Sequence, residues 1–232
     1  MDNYAQALTA AQRHFLDYAP EALAKRPGVQ AAGPELVVPF LGGEARIHRQ
    51  TGAVTCTLAG ETWPAGYEEA LAVYDWLCDA KPGAEASGEF CPVHSLPGVM
   101  VRGNGLLMTG GSLPERIDRE PEAFCRACAV LGGERIPMGD LGFRLMVFPD
   151  LPVLLKFYFG DEDFSPALTP MWDKHTLDFV RYETVYYLAS ALFSRIKRQM
   201  GGVCPHRRRQ GRSNPTINAD RRSDDDQNYL PN

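Results

Sequence analysis

Carboxylates are the residues of this chain whose spacing could do chemistry. Asp161-Glu162-Asp163 follow directly on the apolar run Leu151 to Phe159, and Asp173 stands ten residues after Asp163. Acids gathered at a strand end can hold a hard cation, or act as general acid and base. The spacing does not make an EF-hand loop. With Asp161 at position 1, Pro166 falls at position 6, where glycine must turn the chain, and Trp172 at position 12, where a bidentate Glu belongs. A structural role competes with the chemical one. Asp161 can accept main-chain N–H groups in the turn that leaves the strand, and Asp163 can cap the next segment. Asp140, in Gly139-Asp140-Leu141-Gly142, precedes a second apolar segment. If the two segments form an antiparallel hairpin, the start of one lies beside the end of the other, and Asp140 comes near Asp161. Carboxylates that close need a cation, an arginine or a shared proton. The expected ligand-binding set is therefore Asp140, Asp161, Glu162, Asp163 and Asp173, beside the aromatic run Phe157-Tyr158-Phe159.

Sulfur offers a second, weaker chemistry. Cys125 and Cys128 form a Cys-x-x-Cys pair, and Cys91 with His94 lies 34 residues upstream of Cys125. Together they have the ligand types of a zinc site. However, Cys125 and Cys128 fall inside a helical apolar pattern beside Phe124 and Leu131, where cysteine behaves as a small buried hydrophobe. A redox pair would stand at a helix N-terminus instead. No metal is therefore expected. Cys204-Pro205-His206 is a single short match ahead of an arginine run and carries little weight. Gly-x-Ser-x-Gly, Gly-x-x-x-x-Gly-Lys-Ser/Thr and Gly-x-Gly-x-x-Gly are all missing from the sequence, which disfavours hydrolase elbows, phosphate loops and dinucleotide folds. The residues assign neither a cofactor nor a catalytic group.

The elements that must position these residues are readable in outline. The chain has 232 residues, a net charge of −5 and 44% hydrophobic residues, an ordinary globular composition. Its acidic balance argues against nucleic acid as a partner. The N-terminus lacks a secretory pattern, and the most apolar run is broken by Pro152 and Lys156, so a soluble, cytoplasmic protein without membrane contact is expected. Residues 204–232 carry six arginines against four aspartates and almost no large apolar side chain. That composition predicts a disordered tail after a single domain over 1–203.

Within the domain, Tyr4, Leu8, Ala11 and Phe15 recur at helical spacing, and Pro20 opens a short second helix. Glu35 to Leu41, Ala45 to His48 and Ala53 to Leu58 read as strands with glycine turns between them. Tyr67 to Cys78 carries one apolar stripe and is the clearest helix. A loop-rich stretch leads to a helix starting near Pro121. Phe143 to Phe148 and Val153 to Phe159 are apolar on both faces and read as central strands. A last helix spans 182–199, with Val185, Leu188, Leu192 and Ile196 as its core stripe. Strands and helices do not alternate regularly. The expected class is therefore α+β, a mostly antiparallel mixed sheet flanked by helices.

Several segments together resemble the domain of unknown function 3786 family. They are Leu131-Gly132-Gly133, Met138-Gly139-Asp140, Phe148-Pro149-Asp150-Leu151-Pro152-Val153, Gly160-Asp161-Glu162-Asp163-Phe164, Trp172-Asp173 and Tyr182-Glu183. Phe40-Leu41-Gly42, Val73-Tyr74-Asp75-Trp76-Leu77 and Ser95-Leu96-Pro97-Gly98 look like earlier landmarks of the same family. Order and spacing carry the resemblance, which runs from about Leu36 to Arg195. It implies a shared fold unit and a prokaryotic source. It implies no activity and supplies no catalytic residues. Cys91 and His94 look particular to this chain.

Three functions compete. The first is a small binding or accessory module whose acidic pocket takes a small molecule. The second is a metal-assisted or acid/base enzyme using the same carboxylates. The third is an adaptor for a protein partner. A pair of acids with a perturbed pKa in a cleft would favour the enzyme. A wide exposed apolar patch would favour the adaptor.

Overall fold

A computed structural model of the chain describes residues 3–99 and 110–201. The expected tail, with Cys204 and the arginine run, lies outside the described residues. The N-terminal segment forms two helices, α1 (Asn3–Leu16) and α2 (Pro20–Leu23). Short strands then follow one another through tight turns: β1 (Gln30–Ala32), β2 (Glu35–Phe40), β3 (Gly43–His48), β4 (Val54–Leu58) and β5 (Glu61–Pro64). They pair in chain order as a five-stranded antiparallel sheet. In β4 the buried Val54, Cys56 and Leu58 alternate with half-exposed Thr55 and Thr57, the period-2 pattern of a sheet with one face on the core.

The helix α3 (Tyr67–Asp79) follows, then β6 (Phe90–Cys91), a 3-10 turn at Val93–Ser95, α4 (Leu113–Arg119) and α5 (Pro121–Val130). The second sheet is completed by β7 (Glu134–Ile136), β8 (Leu141–Phe148), β9 (Leu151–Tyr158) and β10 (Ala167–Asp173). Its order is β6-β10-β9-β8-β7, again antiparallel throughout. β9 is the middle strand, which is why Leu151 to Leu155 are buried without alternation. Two helices follow β10, α6 (Thr176–Phe179) and α7 (Tyr182–Gln199). The class is α+β, with the strands divided between two sheets. Among the described residues no helix is long and apolar enough to cross a membrane.

The core lies where the sheets meet α3. The Trp76 indole stacks on Phe148 of β8 with centroids 4.5 Å apart, and Phe148 stacks in turn on Phe40 of β2 at 5.1 Å. The indole N–H donates to Asp150 in the β8–β9 turn at 3.0 Å. A register irregularity between Met146 and Phe148 brings in one extra residue, Val147. The Val147 carbonyl accepts the Leu41 N–H of the first sheet at 3.0 Å. Arg195 of α7, 2% exposed, pairs with Glu69 of α3 at 2.9 Å and donates to the Phe40 and Leu41 carbonyls at 2.8 and 3.1 Å.

Candidate functional site

The expected hairpin forms. Leu141 pairs with Phe157, so the start of β8 lies beside the end of β9. Asp140 takes up that position, but its carboxylate accepts the Phe159 N–H at 2.8 Å. Asp161 uses one oxygen to accept the N–H groups of Asp163 and Phe164 at 2.9 and 2.8 Å. That is the turn-forming role, and Asp118 adds to it by accepting the Gly160 N–H at 2.9 Å. Asp161, Glu162 and Asp163 do come together with Asp118 around an open concavity of about 620 Å³, and Asp140 is not among its lining residues.

Asp173 does not join them. Ala167 pairs with Tyr158 and Trp172 with Val153, so Asp173 stands six residues along β10 from the loop end, about 20 Å at strand rise. It is fully buried. Its carboxylate accepts the N–H groups of Ser87, Gly88 and His175 and the Ser87 hydroxyl, all at 2.8–3.0 Å. It pins the segment before β6 to the end of β10. The sulfur set also stays apart. Cys91 is buried on β6, His94 is exposed in the 3-10 turn, and Cys125 and Cys128 lie inside α5. Among the described residues no three His, Cys, Asp or Glu side chains come together as metal ligands.

A different region has the form of a binding site. A cleft of about 530 Å³ opens between α1, α3 and the start of α7. Helix α1 presents Ala7, Ala10, Ala11 and His14 at i, i+3, i+4 and i+7, three small side chains and an imidazole on one face. Helix α3 presents Tyr67, Leu71, Tyr74, Asp75 and Asp79 on its facing stripe. The first two turns of α7 add Glu183, Thr184 and Tyr187, preceded by Arg181. The Tyr67 and Tyr187 rings meet edge to face at 5.4 Å, with their hydroxyls 3.4 Å apart. Tyr74 is buried. Its hydroxyl donates to the Gly52 carbonyl, and burial pushes its pKa up to about 12.

The polar groups divide into satisfied and open. Asp79 is taken on both oxygens, by Arg181 at 2.5 Å and by His14 at 3.3 Å. Asp75 is only 7% exposed. One of its oxygens accepts the Thr184 hydroxyl. The other receives no hydrogen bond from the described residues, yet it is not sealed from solvent, so it opens onto the cleft. Burial raises the Asp75 carboxyl above its ordinary range, against the pull of Thr184 and Arg181. Such an arrangement can bind a small ligand against aromatic walls and present one carboxyl group to it.

The sequence carried a signal for this cleft. Asp75 interrupts an otherwise apolar buried stripe from Ala70 to Cys78, and a carboxylate inside such a stripe calls for a reason. It meets Thr184 from 109 residues away, and no local pattern could join the two segments.

The model of the family described as "Domain of unknown function (DUF3786)" matches residues 19–195, more than half of the chain. That span includes the α3 wall of the cleft and the part of α7 that lines it; α1 precedes it. No curated protein and no solved structure matches the chain. Segments from Phe40 to Tyr182, in one order along both sheets and the helices between them, thus fall within a single family model, and the chain belongs to the DUF3786 family.

Proposed function

We propose that the chain is a small-molecule binding module whose ligand enters the cleft between α1, α3 and α7. One observation carries this reading: a concavity of about 530 Å³ with tyrosine and leucine walls onto which a nearly buried carboxyl group opens. Ligand sites have that size and composition, apolar walls with few convergent polar groups. The loop Asp161-Glu162-Asp163 is the weaker candidate, because Asp161 is occupied by its own turn. The net charge of −5 supports a small molecule over nucleic acid as partner. We further propose a reducing, cytoplasmic setting, in which the five described cysteines persist as free thiols.

An acid/base enzyme is the second reading, favoured by one observation. Asp75 and Asp79 stand one helical turn apart, both line the cleft, and burial holds Asp75 above the usual carboxylate range.

The test is a thermal-shift screen of cofactors and metabolites on the wild type, A10W and D161N. Ala10 is exposed on α1 and lines the cleft, so Trp there fills the cleft from outside the core. Compounds that raise the wild-type melting temperature are expected to lose their effect in A10W and keep it in D161N. A response that survives A10W and vanishes in D161N overturns the assignment. Conversion of a bound compound, stopped by D75N without loss of binding, selects the enzyme.

A further inference from the structure

Among the described residues the charges lining the cleft are not balanced. Three carboxylates, Asp75, Asp79 and Glu183, face one arginine, Arg181. Arg181 and Asp79 neutralise each other at 2.5 Å, and the second Asp79 oxygen faces His14. What remains is Asp75, with one open oxygen, and Glu183, exposed in the first turn of α7. Neither forms an ion pair among the described residues. One is on α3 and the other on α7, and Glu183 is close enough to add like charge at Asp75.

We propose that the ligand of this cleft is a small organic ammonium ion, its charge held by Asp75 and Glu183 and its carbon body packed against Leu71, Ala10 and Ala11. The proposal rests on the cleft being the binding site, and it adds the class of ligand. An anion would meet two unpaired carboxylates. A neutral donor could hydrogen-bond the open Asp75 oxygen, but it would bring no counter-charge to the two carboxylates, and a desolvated charge left without one is costly. A metal ion would need a shell of oxygen or nitrogen ligands, and no such group of three gathers among the described residues. An ammonium ion satisfies the carboxylates, while the alanines and Leu71 take its apolar part.

Isothermal titration of the full chain with benzylamine and with benzyl alcohol tests the class, because the two probes share shape and differ in charge. Benzylamine is expected to bind about tenfold more tightly. E183Q is expected to weaken benzylamine about threefold, the scale of an exposed charge. Its position on the helix surface leaves the fold intact, so it keeps the test valid if D75N proves unstable. D75N, which leaves Glu183 in place, is expected to cut the preference for the amine to about threefold. Equal binding of the two probes, both blocked by A10W, overturns the ammonium class and leaves the cleft standing. The class is overturned in the same way if other compounds bind in the cleft and benzylamine does not. If no compound binds in a manner that A10W blocks, the cleft itself is overturned.

Discussion

Burial alone would raise the Asp173 carboxyl, but N–H groups from Ser87, His175 and Gly88 and the Ser87 hydroxyl outweigh it and hold it below its ordinary range. Among the described residues Asp75 has only the Thr184 hydroxyl as a donor, so burial prevails and its carboxyl is raised despite Arg181, with Asp79 and Glu183 adding like charge. The two sites therefore titrate with opposite sign. The native state holds the Asp75 proton more tightly than the unfolded chain does. Its contribution is complete below the unfolded value of about 4 and is lost as pH rises through the native value. D75N keeps an oxygen for Thr184 and removes the charge. At pH 8 it is expected to be more stable than the wild type by about 1–3 kcal/mol, the usual cost of a desolvated polar group. At pH 4 the gap should close. Asp173 behaves oppositely: its stabilisation is present above the unfolded value and fades as pH falls through the native one, so D173N destabilises at neutral pH. Urea unfolding of both variants across this range reads the signs directly, and a D75N gap that widens toward pH 4 would refute the assignment.

Turns expose the same contrast at the level of elements. Two-residue turns with both φ values positive join β2 to β3 through Leu41-Gly42 and β4 to β5 through Ala59-Gly60. At Gly42 a Cβ would stand 2.4–2.6 Å from the Leu131 backbone, so the position needs glycine for space as well as for φ. G42A is expected to cost about 3 kcal/mol or more, well beyond the ordinary penalty of a left-handed alanine. Ala59 already bears that penalty at φ +50°. A59N, with a residue that tolerates this conformation, should gain about 0.5–1 kcal/mol. Melting temperatures moving in opposite directions would establish the pair. These turns also mark what was legible. Gly42-Gly43 reads as a turn, though Gly43 opens β3. Both strands that read as apolar on both faces lie inside their sheet, β9 in the middle and buried without alternation, whereas β8 exposes Arg144 and Met146. β10 was not legible. Pro166 precedes it and Pro170 lies inside it, and β6 pairs with β10 only at Trp172 and Asp173. Pro170 therefore needs no N–H on that side. β1 is exposed at all three positions and has no alternation to read.

For the whole molecule, what the sequence concealed is contact between distant segments. The hairpin that draws Asp140 toward the end of β9 was predictable from two neighbouring apolar runs, whereas the cleft needs α1, α3 and α7 together. Arg195 shows the same dependence. In sequence it is one of several cations near a helix C-terminus, where a solvent-facing role is the simple expectation. In the fold it is 2% exposed, stacked over the Phe40 ring at 4.6 Å and bonded to Glu69. It thereby joins α7 and α3 to the edge of the turn where Leu41 reaches Val147 of the second sheet. Removing one partner of a buried pair leaves the other uncompensated, so R195M is expected to destabilise by about 3–5 kcal/mol. R195K keeps the charge but loses the planar fork that serves Glu69 and two carbonyls at once, and should recover only part of that loss. The effect should also be local before it is global. Amide exchange at Leu41 is expected to accelerate more in R195M than exchange at Leu155 or Phe157 in the middle of the second sheet, because the junction opens before β9 does. Uniform acceleration at all three amides would mean that Arg195 supports the whole core and not the seam between the sheets.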